Sequence, residues 1–297
     1  IKRQARENGF NSFHFSLSGG EPTFHPGYLD ILHHLANDVE NTNYTSVHMT
    51  SNCSRPMRWF EQYVECVKPF HRASITASLH TEHLNTTEKL QDFADKLILC
   101  QEHDVQVTIN MVMVPDWFER DWENALFFHE QGINVTLKPQ SDPTASRIVE
   151  GYKEEDLKRL WNGMPQRAYT ENKRKWEGRP KPSFEIPQGV DGKLDTSIPW
   201  HMQVEFRDST GKKWYMDQAE RFNAFDFNKF KGWNCNAGYQ GIIIREPDGS
   251  VKRSYSCHDV PLGNIETGFK LFDKPMPCMT ESCVSSADSK IPKRKYV

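Results

Sequence analysis

Long apolar runs are missing from this chain. Its strongest apolar clusters are as short as Ile242-Ile243-Ile244, where a membrane-spanning helix needs about 18 or more consecutive apolar residues, so no membrane partner is expected. An excess of one charge is missing as well. The 37 Lys and Arg residues nearly balance 40 Asp and Glu, for a net charge of −3, which gives no electrostatic footprint for nucleic acid. The basic end at residues 290–295 is short and reads as a solvated tail. There is no internal repeat and no signal-peptide pattern, so a cytoplasmic setting is expected. Cysteine is sparse and odd in number, at seven residues, which argues against a disulfide framework. The chain starts at Ile1 rather than Met, and residues 1–8 read as the last turns of a helix stopped at Asn8-Gly9. The expectation is a fragment whose own start lies upstream.

What is present is an alternation of strand and helix signals over residues 12–140. Strands are expected at residues 12–17, 45–50, 73–79, 105–114 and 133–138, where β-branched and aromatic residues suit a buried sheet. Between them lie helical stripes: Tyr28, Ile31, Leu32, Leu35 and Val39; Phe60, Tyr63, Val64 and Val67; Leu90, Phe93, Ala94, Leu97 and Ile98; and a weaker one through Trp122, Ala125, Leu126 and His129. Thr86 or Thr87 suits the cap of the third helix. Strict βαβα alternation implies a parallel sheet with right-handed crossovers, whose chemistry sits beyond the carboxyl ends of the strands. Those ends are all polar: Ser18-Gly19-Gly20-Glu21-Pro22, Ser51-Asn52-Cys53-Ser54, Ser78-Leu79-His80, Asn110 with Met113, and Lys138-Pro139-Gln140. The first is the sharpest. A glycine pair lets backbone approach a ligand closely, Glu21 offers a carboxylate and Pro22 stiffens the turn; the same pattern also serves as an ordinary βα loop.

Residues 163–200 lose all periodicity and read as a connector. Two hairpins follow, residues 202–207 with 213–216, and 241–245 with 250–255 across Glu246-Pro247-Asp248-Gly249. Cys235 precedes the second hairpin, Cys257 follows it, and Cys278 and Cys283 come later. These four suit an iron–sulfur cluster, a structural zinc, or thiols without metal. Cys66 and Cys100 fall inside helices and read as small buried hydrophobes, and Cys53 as a packing or site-lining residue.

The N-terminal half resembles the radical S-adenosylmethionine (radical SAM) superfamily. Gly19-Gly20-Glu21-Pro22 is similar to that family's GGEP element, where strand-end backbone and the acid region meet the amino group of SAM. By place in the strand order, the resemblance implies SAM contacts at Asn52, Ser78, His80 and Asn110. The fold it implies is α/β: a partial (β/α)6 barrel missing its first strand at residues 1–162, the connector at 163–200, and a small hairpin-containing cysteine module at 201–297. That module resembles the auxiliary-cluster domain called twitch, a relative of SPASM, through Cys235-Asn236-Ala237-Gly238, Asp248-Gly249, Cys257, Gly263-Asn264-Ile265, Cys278 and Cys283. The resemblance implies an auxiliary [4Fe–4S] cluster on Cys235, Cys257, Cys278 and Cys283.

Two departures stand out. The family's CxxxCxxC motif, whose thiolates hold the SAM-binding [4Fe–4S] cluster, is not in these residues, and Ser285 stands where a second cysteine of a Cys-x-Cys pair is expected. The activity implied is reductive cleavage of SAM and hydrogen abstraction from a small-molecule or peptide substrate, with an external electron donor such as flavodoxin or ferredoxin. Two other readings remain at this level: a catalytically degenerate or zinc-stabilised interaction protein, and an α/β-barrel hydrolase or aldolase using Ser78 with His80.

Overall fold

The computed structural model describes residues 1–37, 45–142, 148–162, 204–207, 213–216, 229–245, 248–257, 261–283, 285, 288 and 291–295. The connector expected at residues 163–200 lies outside the described residues. The chain forms two compact units, one made of Ser12–Asp142 with Ile148–Glu185, the other of Ile1–Asn11, Pro143–Arg147 and Ile186–Val297.

The first unit is mixed α/β. Strands β1 (Phe13–Leu17), β2 (Thr45–Ser51), β3 (Arg72–Leu79), β4 (Val105–Met113) and β5 (Asn134–Pro139) form one sheet. They lie in the order β1-β2-β3-β4-β5, every neighbouring pair parallel. The expected strands are met to within one residue at each end. Helices α2 (Tyr28–Asn37), α3 (Met57–Val67), α4 (Thr87–Glu102) and α5 (Phe118–Glu130) connect them, and α6 (Glu154–Asn162) follows.

Sequential order has a consequence. Crossovers of one hand, taken each time to the next strand in the same direction, leave every connecting helix on the same face of the sheet. Accordingly α2 packs on α3 and α3 on α4. Odd-numbered strand residues such as Val47, Met49, Ile75, Val107, Ile109 and Met111 are buried, against Phe60, Tyr63, Phe93, Leu97 and Phe128 from the helices. Phe93 meets Phe128 edge-on at 5.6 Å. Thr86 caps α4, its hydroxyl accepting from the Lys89 amide at 3.4 Å. Even-numbered residues of β2, β3 and β4 (Ser46, His48, Thr50, Ser74, Thr76, Ser78, Gln106, Thr108 and Asn110) point the other way and are half-buried. A parallel sheet of doubly wound type would be apolar on both faces; this one is apolar on one and polar on the other.

The second unit is built from short pieces. The expected hairpins form as β6 (Val204–Arg207) with β7 (Lys213–Met216) and β9 (Ile243–Ile244) with β10 (Ser250–Lys252), the latter extended by β11 (Pro261–Asn264) and β12 (Gly268–Phe269) into the antiparallel order β12-β11-β10-β9. A three-stranded sheet sets β8 (Asn234–Cys235) between β13 (Met276–Pro277) and β14 (Lys293–Arg294). The N-terminal helix α1 (Lys2–Glu7) exists as expected, with Asn8 at its end. Gln4 exchanges hydrogen bonds with the Phe269 carbonyl (2.9 Å) and the Leu271 amide (2.8 Å), and Asn8 donates to the Phe272 carbonyl at 2.9 Å. The helix therefore satisfies open backbone groups beyond β12, a pairing with no local sequence signal. β1 does stand at one end of the sheet.

Candidate functional site

At the end of β1 the backbone turns through Gly19 (φ 116°) and Gly20 (φ 53°), conformations that a side chain disfavours. A Cβ at either would meet nothing within 4 Å. The pair therefore does not serve contact with the protein's own backbone; it leaves open space beside a strand end.

Glu21 fixes that loop. Its Oε1 accepts from the Thr23 amide (3.2 Å), the Thr23 hydroxyl (2.6 Å) and the Ser51 hydroxyl (2.8 Å), and its Oε2 from the Asn52 amide at 2.6 Å. Three of the four donors converge on Oε1 and one on Oε2. Glu21 is thus a clamp between the ends of β1 and β2. Pro22 opens the short 3-10 turn Pro22–Phe24 that Glu21 caps. Arg55 ties down the same turn by donating to the Thr23 carbonyl at 2.9 Å.

Asn52 accepts from the Ser54 amide through its side-chain oxygen at 3.0 Å, so its local bonds also shape the loop. Cys53 is packed in the core, at 2% exposure, with φ 54°. Burial and the Glu21 carboxylate push its thiol up to about 12, which makes it inert. Of the two roles expected for Cys53, packing is the one the structure gives. Cys66 and Cys100 are likewise buried.

The polar sheet face gathers the other expected residues. Ser78 pairs in register with Asn110, and Asn110 with Thr136, so the three form a row across β3, β4 and β5. The Thr136 hydroxyl is buried and has no hydrogen-bond partner among the described residues. His80 continues the face one step beyond β3 and is exposed; its Nδ1 lies 3.6 Å from Glu82 Oε1. Lys138, opposite Val112, is half-buried in β5. Towards the other end of the strands, His14 pairs with Ser46 (2.8 Å) and His48 with Ser74 (2.9 Å). No hydrogen bond joins Ser78 to His80 among the described residues, so the nucleophile–base couple that a hydrolase reading needs is not formed.

The four C-terminal cysteines are all buried. Cys235, Cys278 and Cys283 share one small apolar cluster with Phe230 and Ala237. The Cys257 and Cys278 thiols lie close enough to compete for one proton, which lowers Cys278 and raises Cys257; the Thr280 hydroxyl also holds Cys278, at 3.4 Å. The Ala237 amide donates to Cys235 Sγ at 3.4 Å. Among the described residues no group of three or more His, Cys, Asp or Glu side chains is drawn together as a metal site. The donor set still fits an iron–sulfur cluster in kind and number: four buried thiols, one pair in contact, one sulfur already accepting an N–H.

No protein-family model matches the chain, and no curated protein matches it significantly. The functional reading therefore rests on the residues themselves.

Several of them carry no signal in the sequence. Asp121 is fully buried in α5 and holds Thr81 (2.9 Å) and the Val114 amide (3.3 Å), joining the loops after β3 and β4. Tyr152 ties β4 to β5, donating to the Met113 carbonyl and accepting from the Gln140 amide at 2.7 Å. Both act across about 40 residues, beyond any local pattern. The polar face was readable: Thr45-Ser46-Val47-His48-Met49-Thr50 alternates with the period of a strand that has one polar side.

Proposed function

We propose that this chain is of the radical SAM type, its first unit a barrel segment that binds SAM and its second a module for an auxiliary iron–sulfur cluster. The observation that carries the reading is the loop after β1, where two left-handed glycines border open space and Glu21 locks them to β2. A singly wound parallel sheet with all its connecting helices on the apolar face supports it, because the polar face is left to line a binding site.

SAM bound to a reduced cluster would supply radical chemistry for hydrogen abstraction from the substrate; the thiolates of that cluster are not among these 297 residues. The residues of the chain do the rest. Strand-end backbone at Gly19 and Gly20 meets the amino group, while Glu21, held by four donors, keeps that backbone in place. Asn52, Ser78, His80 and Asn110 offer hydrogen bonds to ribose hydroxyls and carboxylate, and the spare hydroxyl of Thr136 extends that row. Holding the reactants between fixed groups and away from water is the protein's share of such chemistry. Cys235, Cys257, Cys278 and Cys283 would hold the auxiliary cluster, with a peptide or small molecule as substrate and a flavodoxin or ferredoxin as donor.

The test uses the chain as it stands. Its 297 residues contain no CxxxCxxC, so iron bound by it reports on the C-terminal cysteines. After anaerobic reconstitution it should bind about four iron and four sulfide and absorb near 400 nm, and Cys257→Ala should lose most of both. Iron content unchanged by Cys257→Ala, or tight stoichiometric zinc with no iron uptake, contradicts the cluster reading.

A further inference from the structure

The largest fully buried side chain among the described residues is a cation. Arg253, at 2% exposure, lies between β10 and Cys257. Its guanidinium donates to the backbone carbonyls of Ala237 (2.8 Å), Pro277 (2.8 Å), Met276 (2.6 Å) and, at longer range, Cys235 (3.5 Å). Phe272 covers it at 5.7 Å. No carboxylate accepts from it among the described residues. The nearby buried acid, Asp288, spends its carboxylate on the Tyr255 and Ser256 amides, at 3.3 and 2.5 Å.

Carbonyl oxygens meet the donors of the guanidinium but bring no full negative charge, and a buried cation is costly without one. The groups that feel its charge are the Cys257 and Cys278 thiols, both of which Arg253 pulls toward the thiolate. The carbonyls also show where the missing charge belongs. Two come from Cys235 and from Pro277, the residue before Cys278, and Arg253 precedes Cys257 by four positions. A guanidinium cannot lose its proton to escape the cost. A cluster held by four thiolates is a net anion in its usual oxidation states, and such a group at these cysteines would be the counter-charge.

We propose that Arg253 is the fixed counter-cation of the auxiliary cluster, a positioning residue that makes its bound, reduced form more favourable. The inference rests on the four-thiolate reading above and adds to it a role for a residue that is not a ligand. A nearby positive charge favours the state with the extra electron, so Arg253 raises the reduction potential of the cluster. It also spans β8, β13 and the loop after β8 through the same carbonyls, which keeps Cys235 and Cys278 in reach of one another before the cluster binds.

The charge and the hydrogen bonds separate in two variants. Arg253→Lys keeps the charge and loses most of the bonds; Arg253→Gln keeps part of the bonds and loses the charge. Each is reconstituted anaerobically beside the unchanged chain, and iron content and midpoint potential are read by optical titration. The expected result is that Lys tracks the unchanged chain, whereas Gln shows a reduced-to-oxidised ratio at least tenfold lower at a given poise, equal to 59 mV for one electron, or releases its iron. Lys and Gln behaving alike, in potential or in iron retention, overturns the counter-cation role and leaves Arg253 a structural donor. An unchanged chain that binds no iron sinks the cluster reading itself, and the two failures are thereby told apart.

Discussion

The two units are stabilised in opposite ways. The sheet unit has a continuous apolar core from β2 to α5, with Phe60, Leu97, Ile109 and Phe128 essentially unexposed. The cysteine unit has strands of two to four residues and a cluster of Phe230, Cys235, Ala237, Cys278 and Cys283 as its apolar centre around the thiols. Its remaining order comes from polar devices: Arg253 on carbonyls, Asp288 on amides, Gln4 and Asn8 on strand ends. Apolar burial stabilises by area, and a unit with little of it leans on cross-links or bound metal, as small domains do. The comparison teaches that the first unit should fold by itself on hydrophobic grounds, and that the second should depend on what its cysteines hold.

Perturbations that break this contrast can be ranked. Phe60→Ala deletes a fully buried ring from the sheet core and should cost about 3–5 kcal/mol, read as an early thermal transition of the sheet unit. Glu21→Ala should cost about 3 kcal/mol, because the Ser51 hydroxyl and the Asn52 amide lose a charged acceptor. It should also loosen the Gly19-Gly20 loop, seen as faster amide exchange there; a variant as stable as the parent would remove the clamp. Gly263→Ala should act on the other unit alone. At φ 132° its Cβ would run into the Gly268 carbonyl and to 2.7 Å from Phe269 Cα, so iron retention should fall while the sheet transition stays put. Alkali sharpens the contrast from the sheet side. The Cys53 thiol rises from 9.0 to about 12 on folding; above pH 9 the unfolded chain gives up a proton that the folded one keeps, so stability falls between pH 9 and 12. Below pH 9 Cys53 contributes no slope, and iodoacetamide at pH 8 should label it only after the sheet unit melts. Smallest is Thr86→Ala, about 1 kcal/mol for a lost helix cap.

How much of this was legible differs in the same way. The five strands could be read because β-branched residues alternate with helical stripes of fixed period, and burial of Tyr63, Leu97 and Val107 follows from that period alone. The singly wound order does not follow from handedness, because a doubly wound sheet has the same right-handed crossovers; only the family resemblance implied it. The glycine pair was legible as a special turn, but the use of Glu21 as a clamp was not, since Ser51 and the Asn52 amide lie 30 and 31 residues away. In the cysteine unit, periodicity is useless over two-residue strands. Ordered cysteines, Asp248-Gly249 and Gly263-Asn264 marked the module, and nothing in the sequence marks Arg253 as buried, because arginine is ordinarily a surface residue. The docking of α1 beyond β12 joins residues more than 260 apart, which no local pattern reports.

The measurement that goes most directly to the central claim is amide hydrogen exchange of the chain with and without SAM. The account predicts slower exchange at residues 18–23, 51–53, 78–81 and 109–111, with no change over 235–283, because the strand ends of the sheet unit hold SAM and the cysteine unit does not. Unchanged exchange at the Gly19-Gly20 loop at saturating SAM, or protection confined to the cysteine unit, would contradict it.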